Sequence, residues 1–134
     1  MKILLDTCIY IDFFRSGKHE EVFTATHHTR FLSPIVMLEL RAGALTQKQV
    51  ISLNHLFYPY IKANRVIPLH SQLFYKAGEI LAALEKNHSI AKRGFSHDIL
   101  IALSALSIGS TLFTSNRKDF ELIAKWLPLK VHFI

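Results

Sequence analysis

The chain opens with Lys2-Ile3-Leu4-Leu5-Asp6-Thr7. Three aliphatic residues run straight into an acid and a hydroxyl residue, a pair that starts helices. The run reads as a short buried strand, residues 2–5, followed without a loop by a helix over residues 7–15. Ser16-Gly17-Lys18 breaks that helix, and residues 19–28 form a second helical segment with Val22 and Phe23 inward. Arg30-Phe31-Leu32-Ser33 reads as another strand. Ser33 then caps a helix that begins at Pro34, a residue suited to a first helical turn, and stops at Gly43. That helix carries Ile35, Val36, Leu38, Leu40 and Ala42.

Further along, Val50, Leu53, Leu56 and Phe57 recur at helical spacing after the cap residue Thr46, and Pro59 ends the pattern. Residues 65–69 read as a strand with an edge-type Pro68. Residues 71–86 form the clearest amphipathic helix, with Leu73, Phe74, Ala77, Ile80, Leu81 and Leu84 on one face. A polar turn covers residues 87–95. Ser96 caps a helix to residue 108 that is apolar on most faces, and Gly109 closes it. A strand at 111–115, a helix from Asn116 to about residue 126 and a strand at 129–134 complete the chain. Strands alternating with helices define an α/β fold: a mostly parallel sheet of four to five strands, with helices on both faces. Residues 1–134 read as a single domain.

Composition narrows the function classes. Hydrophobic residues make up 50% and charged residues 19% of 134 residues, which excludes a disordered chain. Five Gly and four Pro exclude collagen-like and low-complexity classes, and one Cys cannot form an internal disulfide. Three apolar residues before Asp6 are too few for a signal peptide, which needs about 7–15. The apolar stretch at 99–108 is interrupted by Ser104 and Ser107 and falls short of the roughly 20 residues of a membrane span. A cytoplasmic protein without membrane contacts is expected. Sixteen Lys and Arg against ten Asp and Glu give a net charge of +6. That balance favours a polyanion partner, nucleic acid or an acidic protein, although ordinary solubility explains it too.

The scarce acids are unevenly placed. Asp6 lies at a strand exit, where it also serves as a helix cap. Glu39 sits inside an apolar helix, and Arg41, two residues on, does not share its face. Asp98 lies in the first turn of the most apolar helix, where the helix dipole alone favours an acid. Asn116-Arg117-Lys118-Asp119 resembles a capping box at the exit of the strand 111–115. In a parallel sheet, ligands bind outside the carboxyl ends of the strands, and that is where Asp6, Glu39, Asp98 and Asn116 or Asp119 would gather. Two carboxylates ~5 Å apart repel by roughly 3 kcal/mol at an effective dielectric near 20. A cluster of three therefore shifts its pKa values or takes a cation. With no Cys or His among them, the oxygen ligands select Mg²⁺ or Mn²⁺. Such an assembly suits hydrolysis of a nucleic-acid backbone by a metal-activated water.

Four segments then carry a resemblance. Leu4-Leu5-Asp6-Thr7-Cys8-Ile9-Tyr10-Ile11-Asp12, Ser33-Pro34-Ile35-Val36-Met37-Leu38-Glu39-Leu40-Arg41-Ala42-Gly43, His97-Asp98-Ile99-Leu100-Ile101-Ala102 and Thr114-Ser115-Asn116-Arg117-Lys118-Asp119-Phe120 resemble, in order, the four motifs of PIN-domain nucleases. The nearest type is the VapC-like toxin of toxin–antitoxin pairs; the resemblance covers almost the whole chain, though residues 46–64 carry no diagnostic motif. The resemblance implies a PIN-like three-layer fold and an Mg²⁺-dependent endoribonuclease, with Mn²⁺ as a substitute. Asp6 and Asp98 would be metal ligands, and Glu39 would complete the acidic cluster and position water. Asn116 stands where many relatives carry a fourth acid. Thr114 would orient the cluster, and Asp119 would support it through water. Cys8 stands where relatives often carry Asn or Ser. The resemblance also implies an RNA substrate, a small cognate antitoxin inserted near the site, and a homodimer.

Arg41, Lys92, Arg93, Arg117 and Lys118 flank these motifs and are candidate contacts to RNA phosphates. His97 reads as an exposed helix-end histidine, and Asp12 as a surface or packing acid. Phe57, Tyr58, Tyr60, Phe74 and Tyr75 read as core or as a groove for an apolar helix. Three other readings compete. A phosphotransferase using Asp6 would want a second Asp where Cys8 stands. A receiver-type phosphoacceptor would want its acid at a middle strand exit, and the strand 65–69, read as the middle one, has none. A non-catalytic RNA-binding or protein-interaction domain explains the charge but not the acid placement; a PIN-type nuclease outside a toxin–antitoxin pair is a further alternative.

Overall fold

The computed structural model describes residues 1–87 and 94–134. The opening aliphatic run is β1 (Lys2–Leu5), and Ile3, Leu4 and Leu5 are all fully buried. Neighbouring strand residues point to opposite faces. Burial of all three therefore means that both faces of the sheet are covered at this strand. β1 pairs in parallel with β2 (Thr29–Phe31) on one side and β3 (Thr111–Thr114) on the other, and β3 pairs in parallel with β4 (Val131–Phe133). The sheet order is β2-β1-β3-β4. The central strands are thus β1 and β3, and their carboxyl ends carry Asp6 and the segment from Thr114 to Asn116.

α1 (Thr7–Ser16) begins directly at Asp6 and stops at Gly17, whose φ of 70° suits a residue without Cβ. α2 (Glu20–Thr24) is shorter than the sequence reading, though Val22 is buried as expected. α3 (Pro34–Gly43) starts as read, with the Ser33 hydroxyl accepting from Ile35 N–H at 3.2 Å. Its core face is Ile35, Val36 and Leu40; Leu38 and Ala42 point outward. α5 (Ser71–Lys86) has the predicted bounds, but Phe74 lies off its buried face. α6 (Phe95–Ser107) is buried continuously from Ile99 to Ala105.

Three expectations are corrected. α4 (Gln47–Lys62) runs through Pro59. A proline forfeits one helical N–H bond, but the last turn is held by Ala63 N–H donating to Pro59 O (3.0 Å) and by buried Tyr60, whose hydroxyl meets that of Tyr10 at 3.0 Å. The segment 65–69 makes only a single bridge, Leu32 to Val66. Leu32 donates to Arg65 O and accepts from Ile67 N–H, both at 2.9 Å. The ladder cannot continue because the next donor on the Leu32 side is Pro34, which has no N–H for Ile67 O and already begins α3. The central strands are β1 and β3, not residues 65–69, so the lack of an acid at the exit of 65–69 does not count against a receiver-type site. Finally, α6 is capped by Gly94 at φ 85°, not by Ser96. Buried Phe95 is drawn into the core, so the helix begins two residues earlier.

Among the aromatic residues, Phe57 and Tyr60 pack in the core, whereas Tyr58, Phe74 and Tyr75 are exposed. Among the described residues, no helix is long and apolar enough to cross a membrane.

Candidate active site

Asp6 is buried at the carboxyl end of β1, and its N–H donates to Phe113 O at 3.0 Å, which ties this corner to β3. Its two carboxylate oxygens have separate partners. Oδ1 accepts from Thr7 N–H at 2.8 Å, so Asp6 does cap α1. Oδ2 accepts from Thr114 Oγ1 at 2.7 Å and from Cys8 Sγ at 3.4 Å. Burial pushes the Asp6 pKa above the usual carboxylate range. The bonds from Thr114, Cys8 and Thr7 pull it back, and the nearby Glu39 charge pushes it further up. Asp6 is a desolvated carboxylate with an anionic neighbour, an environment that favours a counter-cation.

Glu39 projects from α3 toward the start of α1. Thr7 Oγ1 donates to Glu39 Oε1 at 2.8 Å, and His97 Nδ1 lies 3.7 Å from Oε2. The Glu39 side chain remains 32% exposed, so it is half-buried and open to ligand although its helix is mostly apolar. Asp98 follows His97 in the first turn of α6 and is half-buried. Asp6 and Glu39 are therefore joined through Thr7, and α6 reaches Glu39 through His97.

Thr114 is fully buried and relays between motifs: it accepts from Asn116 N–H at 3.0 Å and donates to Asp6. Asn116 caps α7 (Arg117–Ile123). Its Oδ1 faces Asp119 N–H at 3.5 Å, while its Nδ2 donates to Asp119 Oδ2 at 2.9 Å. Asp119 is buried, and its carboxylate closes the box on the Asn116 side chain where a standard capping box would use the backbone N–H.

Arg41 is exposed and donates to Ala44 O at 3.2 Å. Arg117 and Lys118 are exposed on α7. Lys92 and Arg93 lie outside the described residues. Asp12 faces His19 at 3.3 Å, a packing contact that braces the left-handed His19 between α1 and α2. A depression of about 460 Å³ adjoins the site, lined by Ile11, Phe14, Arg15, Glu39, Leu40 and Lys48 among others.

Among the described residues, no three His, Cys, Asp or Glu side chains converge closely enough to hold an ion by themselves. The donor set nevertheless fits a small hard cation. Mg²⁺ keeps several waters and binds proteins through one or two carboxylates. Asp6 and Glu39 supply two, with Asp98 in the adjoining turn.

A PIN-domain family model matches residues 3–125. The chain belongs to the PIN-domain family. A relative named Ribonuclease VapC1, from Rickettsia felis, is 30% identical over 128 residues, covering 92% of this chain and 91% of that one. Solved structures share the fold. VapBC2 from Rickettsia felis, bound to a DNA fragment from its promoter, superposes with a TM-score of 0.74 at 24% identity over 100% of this chain and 99% of that one. VapBC-1 from nontypeable Haemophilus influenzae gives 0.74 at 24%, over 99% and 98%.

In this PIN domain, sequence reasoning passed over three contacts around the acids. Thr7 was read only as a helix start, yet its hydroxyl binds Glu39. His97 was read as an exposed helix end, yet its ring faces Glu39. Cys8 stands out in the sequence only as a departure from the Asn or Ser of relatives, yet it is half-buried and donates to Asp6, while Ser115 Oγ donates to its sulfur at 3.2 Å. Burial and the Asp6 charge push the Cys8 thiol up, which keeps the proton on sulfur for that bond. Adjacency to Asp6 and Asp98 was the available signal for all three.

Proposed function

We propose that this PIN domain is a divalent-cation-dependent endoribonuclease and the toxin of a toxin–antitoxin pair. The observation that carries the reading is Asp6: a buried carboxylate at a central strand exit, gripped by Thr7 and Thr114 and facing Glu39. Asp6, Glu39 and Asp98 would hold Mg²⁺, or Mn²⁺ in its place. When bound, such an ion neutralises a phosphodiester and lowers the pKa of water. The chain's own residues set the stage for it. Thr114 fixes the Asp6 carboxylate plane, Thr7 orients Glu39 toward the same corner, and Asn116 with Asp119 fixes the turn that presents Thr114. Glu39, half open to solvent, is the acid placed to orient a water. Arg41, Arg117 and Lys118, with Lys92 and Arg93, would meet RNA phosphates.

The name Ribonuclease VapC1 and the VapBC assemblies support the RNA substrate and the antitoxin partner. The depression beside Glu39, with half-exposed Phe14 on its wall, offers an antitoxin segment an apolar seat next to the acids. A homodimer acting in the cytoplasm completes the reading. RNA cleavage with Mg²⁺ or Mn²⁺ tests it: EDTA should abolish cleavage, and Asp98→Asn should remove it while the fold stays intact. Full activity in Asp98→Asn, or RNA binding in EDTA with no cleavage under any metal, overturns it.

A further inference from the structure

The outer face of α7 holds a second depression, of about 450 Å³, lined by Arg117, Lys118, Glu121, Leu122 and Lys125. Three cations surround one carboxylate there. The carboxylate is already engaged, with Arg117 Nη1 at 3.0 Å from Glu121 Oε1. The Arg117 guanidinium also lies 4.3 Å from the centre of the Phe133 ring. An arginine stacked on an aromatic ring and paired at one nitrogen is held in place with donors to spare. Lys118 and Lys125 are exposed on the same face, and neither makes a side-chain bond to an acid among the contacts described.

The sheet register connects this face to the acids. Phe133 is the register partner of Thr114, and Thr114 donates to Asp6 Oδ2. Register partners in a parallel sheet share a face, and neighbouring strands lie about 4.8 Å apart. The basic depression therefore begins one strand spacing from the residue that grips Asp6, and it extends away along α7 to Lys125 in the turn that follows it. From this placement we infer that Arg117, Lys118 and Lys125 form a docking track for the backbone of single-stranded RNA flanking the cut, with Lys125 its far end and Phe133 its floor. The inference rests on the endoribonuclease reading and assigns that site a substrate path.

Backbone binding through phosphates is sequence-independent and salt-dependent, with a slope of log K against log salt of about −0.7 per contact for single strands. The test uses the full chain carrying Lys118→Glu and Lys125→Glu, beside a control carrying Lys62→Glu and Lys76→Glu, which changes net charge equally on α4 and α5. Binding of a fluorescent single-stranded RNA oligonucleotide is measured in EDTA across a salt series. The α7 pair should weaken binding about tenfold and flatten the slope by about 1.4, while the control stays within about twofold of the parent. With Mg²⁺ present, the α7 pair should raise KM and leave kcat unchanged. An unaltered slope, or an equal loss in the control, overturns the track. Absence of cleavage in the parent overturns the endoribonuclease reading instead, and the binding series separates the two failures.

Discussion

Thr114 carries more of the site than an uncharged residue would be expected to. Its single hydroxyl accepts from Asn116 N–H and donates to Asp6 Oδ2, and it has no exposed surface. Thr114→Val keeps the shape and removes the donor, leaving a buried carboxylate oxygen short of a bond. Such a loss costs about 1–3 kcal/mol. Thr114→Val should therefore lower Tm and cut RNA cleavage at least tenfold, while Thr114→Ser restores both. Asp6 itself illustrates the opposing demand of function on stability. Its raised pKa means that the folded chain disfavours the charged form, so at neutral pH the ionised carboxylate is a net cost to folding. The stability linked to its proton is full below the unfolded value and lost as pH rises through the higher folded value. Asp6→Asn removes the charge, and thermal denaturation at pH 7 should show Tm rising, by about 4 °C for each kcal/mol recovered in a chain of this size. Cleavage should vanish in the same variant. An unchanged or lower Tm would argue that Asp6 is not electrostatically strained.

Among the elements, α6 and α4 show how backbone chemistry competes with side-chain pattern. α6 presents Asp98 and His97, and its start depends on Gly94 at φ 85°. A Cβ at Gly94 would meet no atom within 4 Å, so any penalty is conformational. Gly94→Ala should destabilise the fold by about 1–2 kcal/mol in urea titration. A neutral result would show that this turn relaxes freely. In α4, Pro59 sits within a helix that continues to Lys62. An interior proline is about 3 kcal/mol less favourable than alanine, so Pro59→Ala should raise the urea midpoint. A lower midpoint would mean that the proline ring contributes packing there. A stop at Pro59 was the reasonable reading of the sequence, because nothing local announces that Tyr60 will find Tyr10, fifty residues earlier in the chain.

At the scale of the whole molecule, electrostatics set two responses. The His28 ring packs at a tilt against His27 (4.0 Å between centroids) and edge-on to Phe113 (5.7 Å), and its Nδ1 is buried without a partner among the described residues. Desolvation first, then His27, the amino terminus, Arg30 and His132, holds His28 below the usual histidine range. The unfolded chain therefore takes up this proton more readily than the folded one. The stability linked to neutral His28 is full above about pH 6.5 and is lost as pH falls through the lower folded value. His28→Phe should shrink the drop in Tm between pH 7.5 and pH 5.5; an identical drop would remove His28 from the account. The second response is to metal. A cation that binds only the folded chain raises Tm in proportion to the logarithm of its excess over Kd. Millimolar Mn²⁺ should raise the Tm of the parent, EDTA should reverse the rise, and Asp6→Asn should show little of it. A rise of equal size in Asp6→Asn would place the ion elsewhere.

Much of this was written locally in the sequence. The aliphatic run before Asp6, the Ser33-Pro34 start of α3, the amphipathic stripe of α5 and the apolar length of α6 each follow from patterns within a dozen residues. Motif order likewise pointed to Asp6, Glu39, Asp98 and Asn116, because strand exits and helix starts are local features. What pairs with what was not local. Only the assembled sheet made β1 and β3 central, reduced residues 65–69 to a single bridge, brought Thr7 and His97 onto Glu39, and set Phe133 beside Thr114 under Arg117. Those contacts join residues from about sixteen to more than a hundred positions apart. Their geometry comes from register and packing, which no short window of sequence encodes.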